Sequence, residues 1–127
     1  MKKYYFRGKS LNGEWVVGNN IIADDLCFIN GVEVAPNTIG QWIGCNDKKG
    51  RKIFEGDIVV WDEMSNGRYW RIAQVRMCPD IQFDCSKISE FKGIVNSSDY
   101  TFEFGSFVYT DTEQYLEIVG NIYDDLN

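Results

Sequence analysis

The residues best placed to do chemistry in this sequence are carboxylates and thiols, because it contains no histidine. That absence removes Ser/His/Asp and Cys/His nucleophilic catalysis, His-ligated zinc, and general acid or base work by imidazole. Glu55 and Asp57 stand two residues apart in Glu55-Gly56-Asp57-Ile58-Val59-Val60-Trp61. Together with Asp47 they could supply the clustered oxygens that a hard divalent cation prefers. The same segment also has a structural reading, since glycine permits a sharp turn and the β-branched run after it starts a core strand. A carboxylate hydrolase would need one acid of raised pKa beside one ionised base. With 19 acidic residues among 127, chance pairs are inevitable, and neither a singled-out pair nor a Gly-rich phosphate loop is present. No catalytic, metal-binding or cofactor-binding residue is assigned, and the expectation is a protein that is not an enzyme and carries no cofactor.

Cys27, Cys45, Cys78 and Cys85 lie 18, 33 and 7 positions apart, without a Cys-x-x-Cys pair. That spacing is not a zinc ribbon, and it reads as buried or incidental free thiols, with a fold-assembled metal site or disulfides as alternatives.

Binding is the chemistry that survives. The net charge of -6 is unevenly spread: residues 1 to 76 carry 11 basic against 9 acidic side chains, and residues 77 to 127 carry 2 against 10. The first part is thus at +2 and the second at -8, so a basic patch can form only on the first. There, cations interleave with aromatic rings in Tyr4-Tyr5-Phe6-Arg7 with Lys9, and in Arg68-Tyr69-Trp70-Arg71. Small β-barrels bind single strands by stacking bases on such rings above a basic groove. Tyr5, Arg7, Lys9, Arg68, Tyr69 and Arg71 are therefore candidate nucleic-acid contacts. In an alternating strand, however, half of these rings face a core and the outward cations are ordinary solvated neighbours. The acidic part offers the opposite possibility, a negative face including Glu103, Asp111, Glu113 and Glu117 that docks on a basic protein or on a second copy. A solvated surface that merely aids solubility is the simpler account.

The elements that must position these groups read as strands. Short apolar runs, scattered glycines and many β-branched or aromatic residues favour strands joined by tight turns. Asn12-Gly13 suits a hairpin turn between residues 3 to 8 and 14 to 18. The polar loop in the stretch from Ile43 to Ile53 predicts a second hairpin, with Gly available for a left-handed bulge. Ser65-Asn66-Gly67 predicts a third. In the strand after it, Trp70 and Ile72 are in one phase and Ala73, Val75 and Met77 in the other, which suggests a bulge or sharp bend. Leu116, Ile118, Gly120 and Ile122 alternate with Glu117 and Asn121, giving a C-terminal strand. Between 78 and 100 the caps in Ser86-Lys87-Ile88-Ser89-Glu90-Phe91 and Ser97-Ser98-Asp99-Tyr100 allow at most one short helix.

In order along the chain, Phe6-Arg7-Gly8-Lys9, Trp15-Val16-Val17-Gly18, Thr38-Ile39-Gly40-Gln41-Trp42-Ile43-Gly44, Asp47-Lys48-Lys49-Gly50, Ile53-Phe54-Glu55-Gly56-Asp57-Ile58-Val59 and Glu117-Ile118-Val119-Gly120-Asn121-Ile122-Tyr123-Asp124 together resemble the YopX family of phage and prophage proteins. Departures are Trp42 in place of a more usual tyrosine, Cys45-Asn46 where Leu-Lys is common, and an end soon after Asp124. The stretch 62 to 115 matches little. The resemblance implies a mainly β protein of phages or integrated elements, with no established activity and no catalytic residues to carry over.

The expectation is one domain over residues 1–127, mainly β, with a small SH3-like barrel-type core centred on 38 to 61 and 68 to 77. An N-terminal hairpin and a C-terminal strand complete it. Function is expected through protein interaction or self-assembly, with a homo-oligomer or a host or phage protein as partner. Nucleic-acid binding and a carboxylate- or metal-dependent enzyme are the alternatives. With no apolar run of 18 residues and no signal-peptide pattern at the start, the expected location is the host cytoplasm, without a membrane partner.

Overall fold

The structure is a computed structural model that describes residues 4–63, 69–77, 81–85, 90–91, 94–95, 101–103 and 115–123. It is mainly β. The strands are β1 (Phe6–Lys9), β2 (Trp15–Gly18), β3 (Ile21–Ala23), β4 (Cys27–Ile29), β5 (Val32–Val34), β6 (Gly40–Asn46), β7 (Lys52–Phe54), β8 (Asp57–Glu63), β9 (Tyr69–Arg76), β10 (Gln82–Asp84), β11 (Glu90–Phe91), β12 (Ile94–Val95), β13 (Thr101–Glu103) and β14 (Glu117–Asn121). They pair antiparallel as β2-β1-β6-β7, β3-β4-β5, β13-β10-β9-β8-β14 and β11-β12. The class agrees with the sequence. The strand order among the described residues, however, is that of curled antiparallel sheets and does not by itself make an SH3-like barrel.

The N-terminal hairpin forms where Asn12-Gly13 places it. Gly13 N donates to Ser10 O and Ser10 N to Glu14 O, and the register sets Arg7 opposite Val17 and Lys9 opposite Trp15. Alternation then divides the hairpin into two faces. Phe6 and Val16 pack on Cys27, Ile29 and Val34 of the three-stranded sheet. Arg7, Lys9, Trp15 and Val17 are left on the other face. Asn30 and Gly31, with φ of 48° and 81°, join Ile29 to Val32, the left-handed pair that a tight two-residue hairpin requires.

The second hairpin also forms, from β6 and β7, with its register shifted between Trp42 and Asn46. Gly40 begins β6 against the β7–β8 turn, and a Cβ there would lie 2.6 Å from Glu55 O. Because that atom is backbone, Gly40→Ala should destabilise the fold by about 1–3 kcal/mol, read as a lower urea midpoint. An unchanged midpoint would mean that the turn yields freely.

The core lies around β8 and β9. Ile43, Ile53, Val59, Trp61, Ala73, Val75, Phe83, Cys85 and Leu116 form the main cluster, and Ile58, Val60, Ile72 and Phe91 a second one. Two sequence expectations are corrected here. The change of apolar phase in β9 is not a bulge: its pairing with β8 runs without a slip from Ile58–Gln74 to Glu63–Tyr69. Ile72 and Ala73 are both apolar because both faces of the strand are covered, one by each cluster. The bulge lies instead in β14, between Ile118 and Gly120. It reverses the expected sides, so that Asn121 is buried and Ile122 exposed. Within 78 to 100, Glu90 and Phe91 are in a strand and not a helix. Ser86, Ser97-Ser98-Asp99-Tyr100 and the Ser65-Asn66-Gly67 turn lie outside the described residues. A short 3-10 turn also covers Pro36–Thr38 in the first part of the chain. No helix among the described residues is long and apolar enough to cross a membrane.

Candidate functional site

Of the three neighbouring carboxylates singled out by the sequence, Asp57 and Asp47 are each held by an arginine. Asp57 opens β8, and its Oδ2 accepts from Phe54 N at 2.8 Å, closing the Glu55-Gly56 turn. Its Oδ1 lies 2.7 Å from Arg7 Nη2. Arg7 comes from the middle of β1, and its guanidinium carbon sits 4.5 Å from the centre of the Trp15 ring and 5.0 Å from that of Phe54. An aromatic sandwich suits a weakly hydrated, planar cation. Burial pushes the Asp57 carboxyl up to about 6 in spite of the Arg7 charge. The pair therefore stands where desolvation outweighs attraction.

Asp47 is fully buried in the β6–β7 loop. Its oxygens accept from Lys49 N, Arg51 N, Arg51 Nε, Arg51 Nη2 and Ile118 N, at 2.9 to 3.1 Å. Burial would raise its pKa, but the hydrogen bonds from Ile118, Arg51 and Lys49 outweigh it and hold the carboxyl below its usual range. Arg51 Nη2 also donates to Ile118 O at 2.7 Å, and Lys48 N to Leu116 O at 2.8 Å. The loop thus clasps the outer edge of β14, meeting polar groups that an edge strand leaves unpaired. Glu117 completes the clasp with Lys48 at 3.1 Å and Lys49 at 3.4 Å. Burial would raise its pKa too, but the two lysines lower it. Glu55 and the two aspartates do not converge, and among the described residues no three Cys, Asp or Glu side chains gather as a metal site.

Around these pairs, cations and rings share one face of the four-stranded sheet. Lys52 Nζ lies 4.9 Å from the Tyr5 ring centre and 5.3 Å from that of Trp42. Tyr5 meets Trp42 edge-on at 5.8 Å. Next to them, Lys9 Nζ is 5.2 Å from the Trp15 centre, and Tyr123 meets Trp15 edge-on at 5.8 Å. Between this face and β14 lies a cleft of about 380 Å³ with Trp15, Val17, Phe54, Ile118 and Val119 as its apolar walls. Arg7, Arg51, Lys52 and Asp57 supply its charge.

The structure thus brings Tyr5, Arg7 and Lys9 together but withdraws Arg7, 8% exposed, into an ion pair. Arg71 is half-buried on β9, opposite Trp61. Glu117 faces inward to two lysines instead of standing free. Arg68, Asp111, Glu113 and the side chains of Tyr69 and Glu103 lie outside the described residues. Sequence reasoning missed Trp15, Trp42 and Lys52 as members of the face. Trp15 directly follows the recognised turn, and with the register counted outward from that turn it falls opposite Lys9. Cys27 and Cys85 are buried and Cys45 is half-buried.

Compared with known proteins, the chain matches the family model described as YopX protein over residues 2–127, including the stretch 62 to 115. No curated protein matches it.

Proposed function

Because the chain belongs to the YopX family, we propose that it is a phage-type accessory protein that works in the cytoplasm by binding another protein, without catalysis. The observation that carries this reading is the face built from Tyr5, Trp42 and Lys52 beside Trp15 and Lys9. Tyr, Trp and cations on a rigid sheet are the side chains that dominate protein interfaces. The face belongs to the part of the chain at +2, so it fits an acidic partner, and the part at -8 of a second copy is such a partner. The roles of Asp47, Asp57 and Glu117 in holding cations and amides support a structural use of these carboxylates over a catalytic one.

Light scattering on the eluting protein tests the reading. Wild type is expected to run as an oligomer at low salt and to dissociate as salt screens the contact, whereas Lys9→Glu/Lys52→Glu runs as a monomer. A wild-type monomer at high concentration and low salt would end the self-assembly reading. The same interleaving of rings and cations favours single-stranded nucleic acid as the second reading. A retardation assay decides it: a shift at low salt that disappears as salt rises supports it, and no shift rejects it.

A further inference from the structure

We propose that the cleft between the β1–β2 hairpin and β14 is a binding site for a small organic anion. The flat apolar body of the ligand rests on Trp15 and Val17, and its acid group meets Lys52 and Arg51. The cleft adjoins the face proposed above for a macromolecular partner and shares Trp15 and Lys52 with it. At about 380 Å³ the cleft is within the range of small-ligand pockets, roughly 300–1,000 Å³. Its walls are apolar, and the carboxylates beside it are paired with cations of the protein. Asp57 is committed to Arg7 and the Phe54 amide, and Asp47 lies fully buried behind Arg51. The Arg51 side chain, in contrast, is half-exposed. Lys52 is exposed and makes no ion pair among the described residues. The mouth therefore presents cations beside rings, while each carboxylate is balanced within the protein.

A second observation points the same way. Arg7, nine-tenths buried on the wall of this cleft, has an Nε–H without an acceptor among the described residues. Buried donors are rarely left so, and those that are mark places where a polar guest or an ordered water belongs. Val119, the residue skipped in the β14 ladder, adds a wall next to the half-exposed backbone of Gly120. A β-bulge is a common way to redirect a strand at a binding site.

The test is a titration of the whole protein followed by amide nitrogen–proton spectra, with benzoate, adenosine monophosphate and inorganic phosphate as probes. Benzoate or the nucleotide is expected to shift the Gly120 and Asn121 amides saturably, and the better of the two tells whether carboxylate or phosphate is the preferred acid group. Inorganic phosphate should bind about tenfold more weakly than the better aromatic probe, for want of a body to rest on Trp15. Lys52→Gln should weaken binding about tenfold and Val17→Asp should abolish it, both with wild-type melting temperatures since both side chains are exposed. The proposal fails if neither aromatic probe gives a saturable shift at millimolar concentration. It also fails if inorganic phosphate binds as tightly as both, or if the two folded variants bind like wild type.

Discussion

Replacing Arg7 with methionine is expected to remove about 3–5 kcal/mol of stability at neutral pH, the penalty for leaving one charge of a buried pair behind. Asp57 is 1% exposed, and burial pushes its carboxyl up to about 6 even with the guanidinium present. Without Arg7 the ionised form loses its main compensation. Methionine still fills the slot between Trp15 and Phe54, where its thioether suits the rings, so lost packing is the lesser effect. Adding Asp57→Asn keeps an acceptor for the Phe54 amide and should restore most of the loss. A double-mutant cycle measures this coupling, and two losses that simply add would show that the pair is not the unit.

The same pair sets a pH dependence. Burial pushes the Asp57 carboxyl up to about 6 in the folded protein, against an ordinary value of 3.8, so the folded state holds this proton more tightly than the unfolded chain does. The stability it contributes is complete below about pH 4 and is lost as pH rises through about 6, some ~3 kcal/mol in all. Asp47 and Glu117 have lowered pKa values and act in the opposite sense, contributing stability above the ordinary carboxylate range that is lost on acidification. Comparison with Asp57→Asn cancels their trend. Between about pH 4 and about pH 7, wild type should lose stability relative to Asp57→Asn, and parallel curves from chemical denaturation would refute the assignment.

Asp47→Ala is the second large effect. It strips the acceptor from three backbone amides and from the Arg51 guanidinium at once. Each buried donor left alone costs about 1–3 kcal/mol, reduced here because water reaches the exposed Lys49 and Arg51. A loss of about 3 kcal/mol or more, and of about 10 °C in Tm, is expected. Hydrogen exchange should locate it, with the Ile118 amide losing protection first because β14 is released from the loop. Asp47→Asn, which keeps one oxygen, should fall between Ala and wild type. If the alanine variant melts within about 2 °C of wild type and Ile118 stays protected, the loop does not hold the strand.

Much of the fold was legible because its signals are local. Asn12-Gly13 announces a hairpin through the backbone angles its residues tolerate, and Asn30-Gly31 carries the same signal for β4 and β5. The errors arose where a pattern had two physical causes. An apolar switch within β9 reads alike for a bulge and for a strand covered on both faces, and only the second cluster at Ile58, Val60, Ile72 and Phe91 separates them. The period of two through Leu116 to Ile122 has no local mark of the extra residue at Val119, because a bulge is imposed by the neighbouring strand and the loop that clasps it.

The candidate site divides in the same way. Composition alone determined that imidazole chemistry is absent, that cations concentrate in the first part of the chain, and that the second part is strongly acidic. These are counts, independent of conformation. Which charges remain available was decided by tertiary structure. Arg7 and Asp57 are 50 positions apart in the sequence, and Asp47 meets an amide 71 positions away. Those encounters depend on how sheets close on one another, and burial then turns adjacent charges into committed pairs. Lys52 keeps its charge at the surface because no carboxylate among the described residues is folded against it.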